Sequence, residues 1–401
     1  MRTAFLALLL FGCSAIPPEQ RARELARRFL ILDGHIDVPY RLHAQRREGK
    51  PMDDVGVATA GGDFDWPRAL AGGLDAPFFS IYTPAEDEER GTSKQVADEL
   101  IDQCEELLAA HPERFELART AADVRRIAGT GRIALLYGME NGSPLAGALA
   151  NLEHFQRRGV RYITLCHGKD NHLCDSSYDT RGTHGGLSPF GHEVVARMNE
   201  LGVLIDVSHL ADTSFWDVLA ATRAPVIASH SSLRHFVPGW ERNMSDDMVV
   251  ALAKNGGVVQ INFGSTFLTQ AANQHFDVAR KVFDEFAAAH DGPDSAESLA
   301  FREQYGREHP FPFASVGDVA DHIERVVELA GVEHVGFGSD FDGVGDSLPT
   351  GLKDVSMYPN LIAELLRRGY SEGDIQKICG ENVLRVLERA EVVARELSGK
   401  G

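Results

Sequence analysis

A histidine and an aspartate with metal-ligand spacing interrupt an apolar stretch near the start of the chain. The stretch, "FLILDGHIDVPY" at residues 29–40, has the pattern of a buried strand, yet it contains Asp33, His35 and Asp37. Buried polar groups are costly unless something pairs with them. On a strand, side chains two residues apart point to the same side, as His35 and Asp37 would. An imidazole and a carboxylate suit Zn²⁺ or a similar divalent cation, although a hydrogen-bonded His–Asp pair fits the same spacing.

Two more histidines end apolar stretches in the middle of the chain. His209 closes "GVLIDVSH" and His230 closes "APVIASH", 21 residues later. That spacing is about one strand–helix–strand step, so we expect the two rings on neighbouring strands. Either histidine alone fits an ordinary hydrogen-bonded core position. As metal ligands both would need partners that orient the ring, and Asp206 and Ser208 are the candidates.

Two acidic residues complete the set. Glu140 closes the apolar run "IALLYGME", where bridging two cations would remove the cost of burying its charge. Asp340 closes "HVGFGSD" and is compatible with a ligand, a base or a cap, with Asp342 as its competitor. Two metal positions with a shared acid follow, formed by His35, Asp37 and Glu140 and by Glu140, His209 and His230. Two cations about 3.5–4 Å apart can hold a hydroxide between them and polarise a carbonyl.

The elements that must position these side chains are short apolar strands separated by helical patterns. We place the strands at residues 29–38, 75–83, 132–140, 161–168, 202–209, 224–230, 256–263 and 334–343. Apolar strands alternating with helices predict a parallel sheet covered on both faces. Eight of them predict a closed (β/α)8 TIM barrel, whose active site lies at the C-terminal ends of the strands. We expect one such domain over residues 21–398, with a helical insertion at about 264–333.

Charge excludes one class of function. The 401 residues include 40 Lys and Arg against 59 Asp and Glu, a net charge of −19. Such a surface repels phosphate backbones, so we expect no nucleic-acid partner.

The N-terminus has the pattern of an export signal. Residues 1–20, "MRTAFLALLLFGCSAIPPEQ", contain an apolar run too short to span a bilayer. The stretch "LFGC", with Leu10 three residues before Cys13, resembles the cleavage site of a bacterial lipoprotein. We therefore expect an exported protein, periplasmic or lipid-anchored to the bacterial envelope through Cys13. The other cysteines have no metal-site or disulfide-framework spacing, and whether Cys166 and Cys174 pair stays open.

Taken together, these stretches resemble the membrane (renal) dipeptidases and their bacterial relatives, which are binuclear-zinc members of the amidohydrolase superfamily. The resemblance runs in family order from about residue 20 to 395. It is carried by "LDGHIDVPYRL", "GMENG", "GVRYITLCHGKDN", "IDVSHLAD", "PVIASHSSLRHF", "ERNMSDDMVVALAKNGGVVQINF", "HVGFGSDFDGV" and "GLKDVSMYPNLIAELLRRGYSE…ICGENVLRVLE".

The resemblance implies a role for each candidate residue. Two zinc ions, bridged by Glu140 and a hydroxide, would be held by His35, Asp37, Glu140, His209 and His230. His167 would contact the substrate carbonyl, Arg242 the terminal carboxylate, and Asp340 would transfer a proton to the leaving amine. The implied activity is hydrolysis of dipeptides, with tolerance of a D-residue at the C-terminal side, by a homodimer.

Departures from the family pattern leave the substrate open. Asn141 follows Glu140 where glycine is usual, Cys166 replaces a hydroxyl residue, and "VPGW" lengthens the approach to Arg242. One alternative is an amidohydrolase acting on N-acyl amino acids or a peptide-derived metabolite. Many such relatives bridge their metals with a carboxylated lysine, and Glu140, rather than Lys169, takes that position here. A third possibility is a non-catalytic periplasmic binding or maturation factor.

Overall fold

The structure is a computed structural model that describes residues 16–399. The predicted lipid-anchor residue Cys13 lies outside the described part. The strands are β1 (Ile31–Ile36), β2 (Leu74–Tyr82), β3 (Phe115–Leu117), β4 (Ile133–Glu140), β5 (Val160–Thr164), β6 (Leu204–Asp206), β7 (Ile227–Ala228), β8 (Val258–Ile261) and β9 (Val335–Phe337).

All of these strands pair in parallel, and eight of them close into a barrel. The sheet order is β2-β1-β9-β8-β7-β6-β5-β4, and a further pairing between β2 and β4 joins the two ends. The register carries Tyr82 to Glu140, Glu140 to Thr164 and Thr164 to Asp206, which brings the strand ends to one mouth. The predicted (β/α)8 TIM barrel is therefore confirmed. Strand β3, only three residues long, was not predicted and pairs with the start of β4 outside the ring.

Helices cover the barrel. They are α1 (Pro18–Ala26), α2 (Val38–Arg47), α3 (Trp66–Gly72), α4 (Ala85–Arg90), α5 (Ser93–Ala110), α6 (Ala121–Ala128), α7 (Leu149–Arg158), α8 (Pro189–Leu201), α9 (Asp212–Ala221), α10 (Asp246–Lys254), α11 (Ser265–Leu268), α12 (Gln270–Ala289), α13 (Ala296–Glu308), α14 (Val316–Ala330), α15 (Tyr358–Arg367), α16 (Glu372–Gln376) and α17 (Asn382–Leu397). Single 3₁₀ turns lie at Ser143–Leu145, Val332–His334, Gly345–Ser347 and Val355–Met357, and a π-helical turn at Lys377–Glu381. Within residues 16–399 no helix is both long enough and apolar enough to cross a membrane.

Local sequence explains where the helices begin. The side chains of Ser188, Ser245 and Ser315 accept hydrogen bonds from the first turns of α8, α10 and α14, and Ser315 forms a full capping box with Asp318. Between β8 and β9 the chain runs through α11 to α14, which occupy most of the stretch predicted as a helical insertion.

Asp33, the first acid of the opening stretch, connects three elements of the barrel. Its Oδ1 accepts hydrogen bonds from the backbone N–H of His35 (2.9 Å) and of Ser339 (3.1 Å), and its Oδ2 accepts one from the Tyr358 hydroxyl (2.6 Å). Burial raises the pKa of Asp33 to about 6, although these hydrogen bonds oppose the rise. Asp33 thus links β1 to the end of β9 and to α15, and its burial is balanced by donors.

A glycine on β4 makes room for a tyrosine inside the barrel. A Cβ atom at Gly138 would lie 1.9 Å from the Tyr162 ring, so no larger residue fits while that ring stays in place. Tyr162 is fully buried, and its hydroxyl lies 2.7 Å from His35 Nδ1. The space at Gly138 therefore allows Tyr162 to reach the ring of His35 from inside the barrel.

Candidate metal centre

The structure brings all of the predicted site residues to the C-terminal mouth of the barrel. His35 lies on β1, Asp37 directly follows it, and Glu140 is the last residue of β4. The other predicted residues lie in the loops that follow β5, β6, β7 and β9, namely His167, His209, His230, Arg242 and Asp340.

Glu140 is the centre of the cluster. Its Oε2 lies 3.3 Å from His35 Nε2, and that nitrogen is also 3.3 Å from Asp37 Oδ2. Its Oε1 lies 3.2 Å from His209 Nε2 and 3.3 Å from His230 Nε2. One oxygen of the carboxylate therefore faces the His35–Asp37 corner and the other faces the two later imidazoles.

The donor set fits metal binding better than it fits a hydrogen-bonded network. His35 Nε2 and Asp37 Oδ1 are buried and have no hydrogen-bond partner among residues 16–399. His209 Nε2 and His230 Nε2 lie 2.9 Å apart, and both face the same carboxylate oxygen. Imidazole nitrogens and carboxylate oxygens that crowd together in this way are the arrangement expected of ligands around a cation.

Buried partners fix the rings of two of these histidines. Tyr162 OH lies 2.7 Å from His35 Nδ1 and donates to the backbone oxygen of Gly34 (3.2 Å), so it can accept the Nδ1 proton. Ser229 Oγ lies 2.7 Å from His230 Nδ1 and donates to Asp206 Oδ2 (2.6 Å). Protons on Nδ1 leave each Nε2 with a lone pair directed at the cluster.

Electrostatics favour the protonation states that metal ligands need. Burial lowers the pKa of His209 and of His230 well below the usual range, and the positive charge of Arg242 acts in the same direction. Burial favours the neutral acid at Glu140, but the neighbouring His35 and His167 outweigh it and hold the pKa of Glu140 well below 4.5. At His35 burial opposes the charged ring, but Tyr162, Asp37 and Glu140 outweigh it and raise the pKa well above 6.5. The centre thus combines neutral imidazoles at His209 and His230 with an ionised carboxylate at Glu140.

Asp340 lies at the edge of this cluster. One ligand atom from each of His35, Asp37 and Asp340 falls within 4.8 Å of the other two. Asn262 Nδ2 donates to Asp340 Oδ2 at 2.7 Å. Burial, followed by the negative charge of Asp37, raises the pKa of Asp340 to about 8. A Cβ atom at Gly343 would lie 2.2 Å from both aspartate carboxylates, so the turn after β9 leaves room only for glycine.

Arg242 is buried, although its sequence context is a polar loop. Its side chain donates to Ser231 Oγ and to the backbone oxygen of His230, both at 2.8 Å, and its Nη2 lies 3.1 Å from His209 Nε2. Only 2% of Arg242 is exposed. A buried guanidinium beside a ligand cluster presents a fixed positive charge to a substrate.

His167 also lies at the mouth, beside His209. Its Nε2 lies 3.6 Å from Glu140 Oε1, and its ring stacks obliquely on that of His209 at 4.3 Å between centroids. Burial lowers the pKa of His167, so its ring is neutral and can donate a hydrogen bond to a carbonyl.

Several residues near the motifs lie outside the cluster. His172 Nδ1 lies 2.7 Å from Glu88 Oε1, and Lys169 forms ion pairs with exposed glutamates. Asp342, the competitor of Asp340, instead pairs with Arg41 and accepts from the backbone N–H of Asp63. Cys166 and Cys174 are buried free thiols.

Sequence reasoning missed the residues that orient the candidate ligands. Tyr162 lies in the middle of an apolar strand, and nothing in its local pattern points to His35 across the barrel. Ser229 was detectable, because it directly precedes His230. Asp206 and Ser208, the partners predicted from the sequence, do not contact a ring nitrogen of His230 directly. Asp206 acts through Ser229, whereas Ser208 Oγ accepts a hydrogen bond from the backbone N–H of His230 (3.2 Å).

Comparison with known proteins identifies the family of the chain. The family model for membrane dipeptidase, peptidase family M19, matches residues 19–401. Dipeptidase verJ of Clonostachys rogersoniana is 34% identical over 391 residues, covering 95% of this chain and 89% of that protein. Dipeptidase aclJ of Aspergillus oryzae is 34% identical over 388 residues, covering 94% of this chain and 81% of that protein.

Solved structures show the same fold. The probable dipeptidase PvdM from Pseudomonas aeruginosa superimposes with a TM-score of 0.79 at 28% identity, covering 94% of this chain and 99% of that one. A metallo peptidase from Rhodobacter sphaeroides, liganded with a phosphinate mimic of the dipeptide L-Ala-D-Ala, gives a TM-score of 0.73 at 26% identity, covering 90% and 99%. The chain therefore belongs to the membrane dipeptidase family, peptidase family M19, and is an enzyme of the metallo-dipeptidase type.

Proposed function

We propose that this protein is a zinc-dependent dipeptidase that hydrolyses the peptide bond of dipeptides with a free C-terminal carboxylate. One observation carries the proposal: the two oxygens of Glu140 face two separate sets of ligand atoms. The distances are 3.3 Å from Oε2 to His35 Nε2 and 3.2 and 3.3 Å from Oε1 to the Nε2 atoms of His209 and His230.

Two cations would share Glu140. His35 and Asp37 would hold one of them, and His209 and His230 would hold the other. The nitrogen and carboxylate donors suit zinc. When bound, a pair of such ions supplies a hydroxide nucleophile at neutral pH and polarises the scissile carbonyl.

The chain's own residues bind and orient the substrate. Arg242 receives the C-terminal carboxylate, because its guanidinium is buried, fixed by Ser231 and adjacent to the ligand cluster. The neutral ring of His167 donates to the oxygen of the scissile carbonyl. That donor stabilises the negative charge which develops on the oxygen in the transition state.

Asp340 moves the proton. It takes a proton released during attack and delivers it to the departing amine, while Asn262 holds its Oδ2 in place (2.7 Å). A pKa raised to about 8 suits a carboxyl group that gains and loses a proton near neutral pH.

Tolerance of a D-residue at the C-terminal side is part of the proposal. It is supported by the Rhodobacter sphaeroides relative, whose ligand is a mimic of L-Ala-D-Ala.

The test is hydrolysis of a small panel by protein loaded with zinc. We expect release of amino acids from L-Ala-L-Ala and L-Ala-D-Ala, loss of turnover on chelation, and poor hydrolysis of the C-terminal amide of either dipeptide. If N-acetyl-alanine is hydrolysed in preference to the dipeptides, the protein is instead an amidohydrolase that acts on N-acyl amino acids. If the fully metallated protein turns over none of these substrates, it is a binding or maturation factor.

We also propose that the protein is an exported bacterial homodimer, lipid-anchored through Cys13. The support is the apolar leader "MRTAFLALLLFGC" and the family resemblance. Membrane fractionation of the full chain and of Cys13→Ser tests the anchor, and sedimentation of the purified protein tests the dimer. A Cys13→Ser protein that stays in the membrane fraction contradicts the anchor.

A further inference from the structure

Arg242 belongs to a closed circuit of contacts. The other members are the side chains of Tyr178, Trp240 and Phe267 and the ring of the proposed ligand His209. The Tyr178 ring lies 5.7 Å from that of His209 and 6.2 Å from that of Trp240. Trp240 lies 5.0 Å from Phe267, and the Arg242 guanidinium sits 5.1 Å from the centre of the Phe267 ring. Arg242 Nη2, 3.1 Å from His209 Nε2, closes the circuit. An aromatic wall, which we define as Tyr178, Trp240 and Phe267, therefore adjoins the guanidinium.

Hydrogen bonds hold this wall in place, although its members come from different segments. Asn243 Nδ2 donates to the backbone oxygen of Phe267 (2.8 Å), which ties the Arg242 loop to α11. The backbone N–H of Asn243 donates to Trp240 O (3.2 Å), so Trp240 is fixed next to Arg242. The backbone N–H of Tyr178 donates to Ser176 Oγ (3.2 Å). A wall with a fixed shape can discriminate between ligands.

Part of the wall is open. Phe267 is nearly buried at 8% exposure, whereas Tyr178 is 43% exposed and Trp240 is half-buried. The two outer rings therefore keep part of their apolar surface uncovered next to Arg242. An apolar ligand group laid against those faces would be removed from water on both sides.

The position of the wall selects one part of a dipeptide. This step rests on the proposed function, in which Arg242 binds the C-terminal carboxylate. The side chain of the C-terminal residue is attached to the same carbon as that carboxylate. It must therefore lie close to Arg242, whose aromatic surroundings include the three rings of the wall.

We propose that Tyr178, Trp240 and Phe267 form the subsite for the C-terminal side chain, and that the preferred substrates are dipeptides with an aromatic or large aliphatic residue at that end. Trp240 is contributed by "VPGW", the stretch that lengthens the approach to Arg242. Tyr178 approaches from the opposite side, in the long loop after β5.

The experiment compares Ala-Gly, Ala-Leu and Ala-Phe as substrates of the zinc-loaded protein. We expect kcat/KM to rise from Ala-Gly to Ala-Phe by on the order of tenfold or more, mainly through KM. Trp240→Ala and Tyr178→Ala, which alter different loops, should each lower the Ala-Phe to Ala-Gly ratio several-fold. Trp216→Ala is the matched control, because Trp216 is similarly exposed (44%) but packs on Phe215 of α9, outside the wall.

The outcomes separate this inference from the proposed function. Hydrolysis of Ala-Gly without any gain for Ala-Phe overturns the subsite and leaves the dipeptidase intact. Equal losses on Ala-Gly and Ala-Phe in both wall variants give the rings a structural role only, which also overturns it. Absence of turnover with every dipeptide overturns the proposed function and the subsite together.

Discussion

Removing one buried hydroxyl tests how the proposed second metal position is held. Ser229→Ala deletes the oxygen that lies 2.7 Å from His230 Nδ1 and donates to Asp206 Oδ2 at 2.6 Å. Without it, nothing holds the His230 ring in the tautomer that directs Nε2 at Glu140. We expect the affinity for the second zinc ion to fall, with a much smaller effect on the first.

The size of this effect follows from the one hydrogen bond to His230 that is lost. Loss of a hydrogen bond to a ligating histidine weakens metal binding by about 10- to 100-fold, or about 1.4–2.8 kcal/mol. Asp206 keeps the Thr164 hydroxyl and the backbone N–H groups of Ser208 (3.0 Å) and Ser229 (2.8 Å), so its carboxylate stays paired. The metal-free protein should therefore lose only about 1 kcal/mol of unfolding free energy.

Zinc titration against a chelating indicator measures both affinities, and thermal unfolding of the metal-free protein measures stability. Ser214→Ala is the control, because the buried Ser214 hydroxyl also makes two hydrogen bonds, to the backbone of Asp175 at 2.9 and 3.1 Å, without touching a ligand. We expect a weakened second site in Ser229→Ala alone. Equal zinc affinities in the two variants would refute the idea that Ser229 orients His230.

Three further predictions concern the proton carrier, the carboxylate site and a buried histidine. Asp340→Asn should retain zinc, measured by elemental analysis, while kcat falls about 100-fold or more, because a carboxamide cannot carry the proton. Arg242→Lys should raise KM for L-Ala-L-Ala roughly 10- to 100-fold, with little change for its C-terminal amide, because the fork of donors is lost. His322 is buried, and burial lowers its pKa from 6.5 to about 4. Since the unfolded chain binds this proton more strongly, stability should fall by up to about 3 kcal/mol as pH drops from 6.5 to 4; denaturant unfolding of His322→Gln should lack that component.

The fold was predictable because it repeats a simple pattern. Each barrel strand is a short apolar run, and ligand-type residues such as Glu140 and His230 end those runs. The three-residue strand β3 escaped prediction, because "FEL" carries too little periodicity to separate it from a loop. The burial of Arg242 was likewise invisible, since a loop arginine gains its partners only when distant segments fold over it.

The ligand-orienting contacts were beyond sequence reasoning for a different physical reason. Tyr162 reaches His35 across 127 positions of sequence, and it does so only because Gly138 leaves space for its ring. Such contacts depend on barrel closure and register, which set the distance between strands. Periodicity gives the face of each strand but not the neighbour that the face meets.

Two residues of the candidate site have strained backbone conformations, which the surrounding barrel must stabilise. His209 and Asp340 take left-handed backbone conformations, with φ of 70° and 62°, which cost on the order of 1 kcal/mol or more each outside glycine. Their side chains are directed at the cluster because the chain turns sharply at the strand ends. Near Asp340 the backbone is held by Asp33, whose hydrogen bonds fix His35 and Ser339, the residue directly before Asp340. The carboxylate oxygens of Asp33 are thus occupied by hydrogen bonds within the barrel, and these bonds tie β1, which carries His35, to the end of β9, which leads to Asp340.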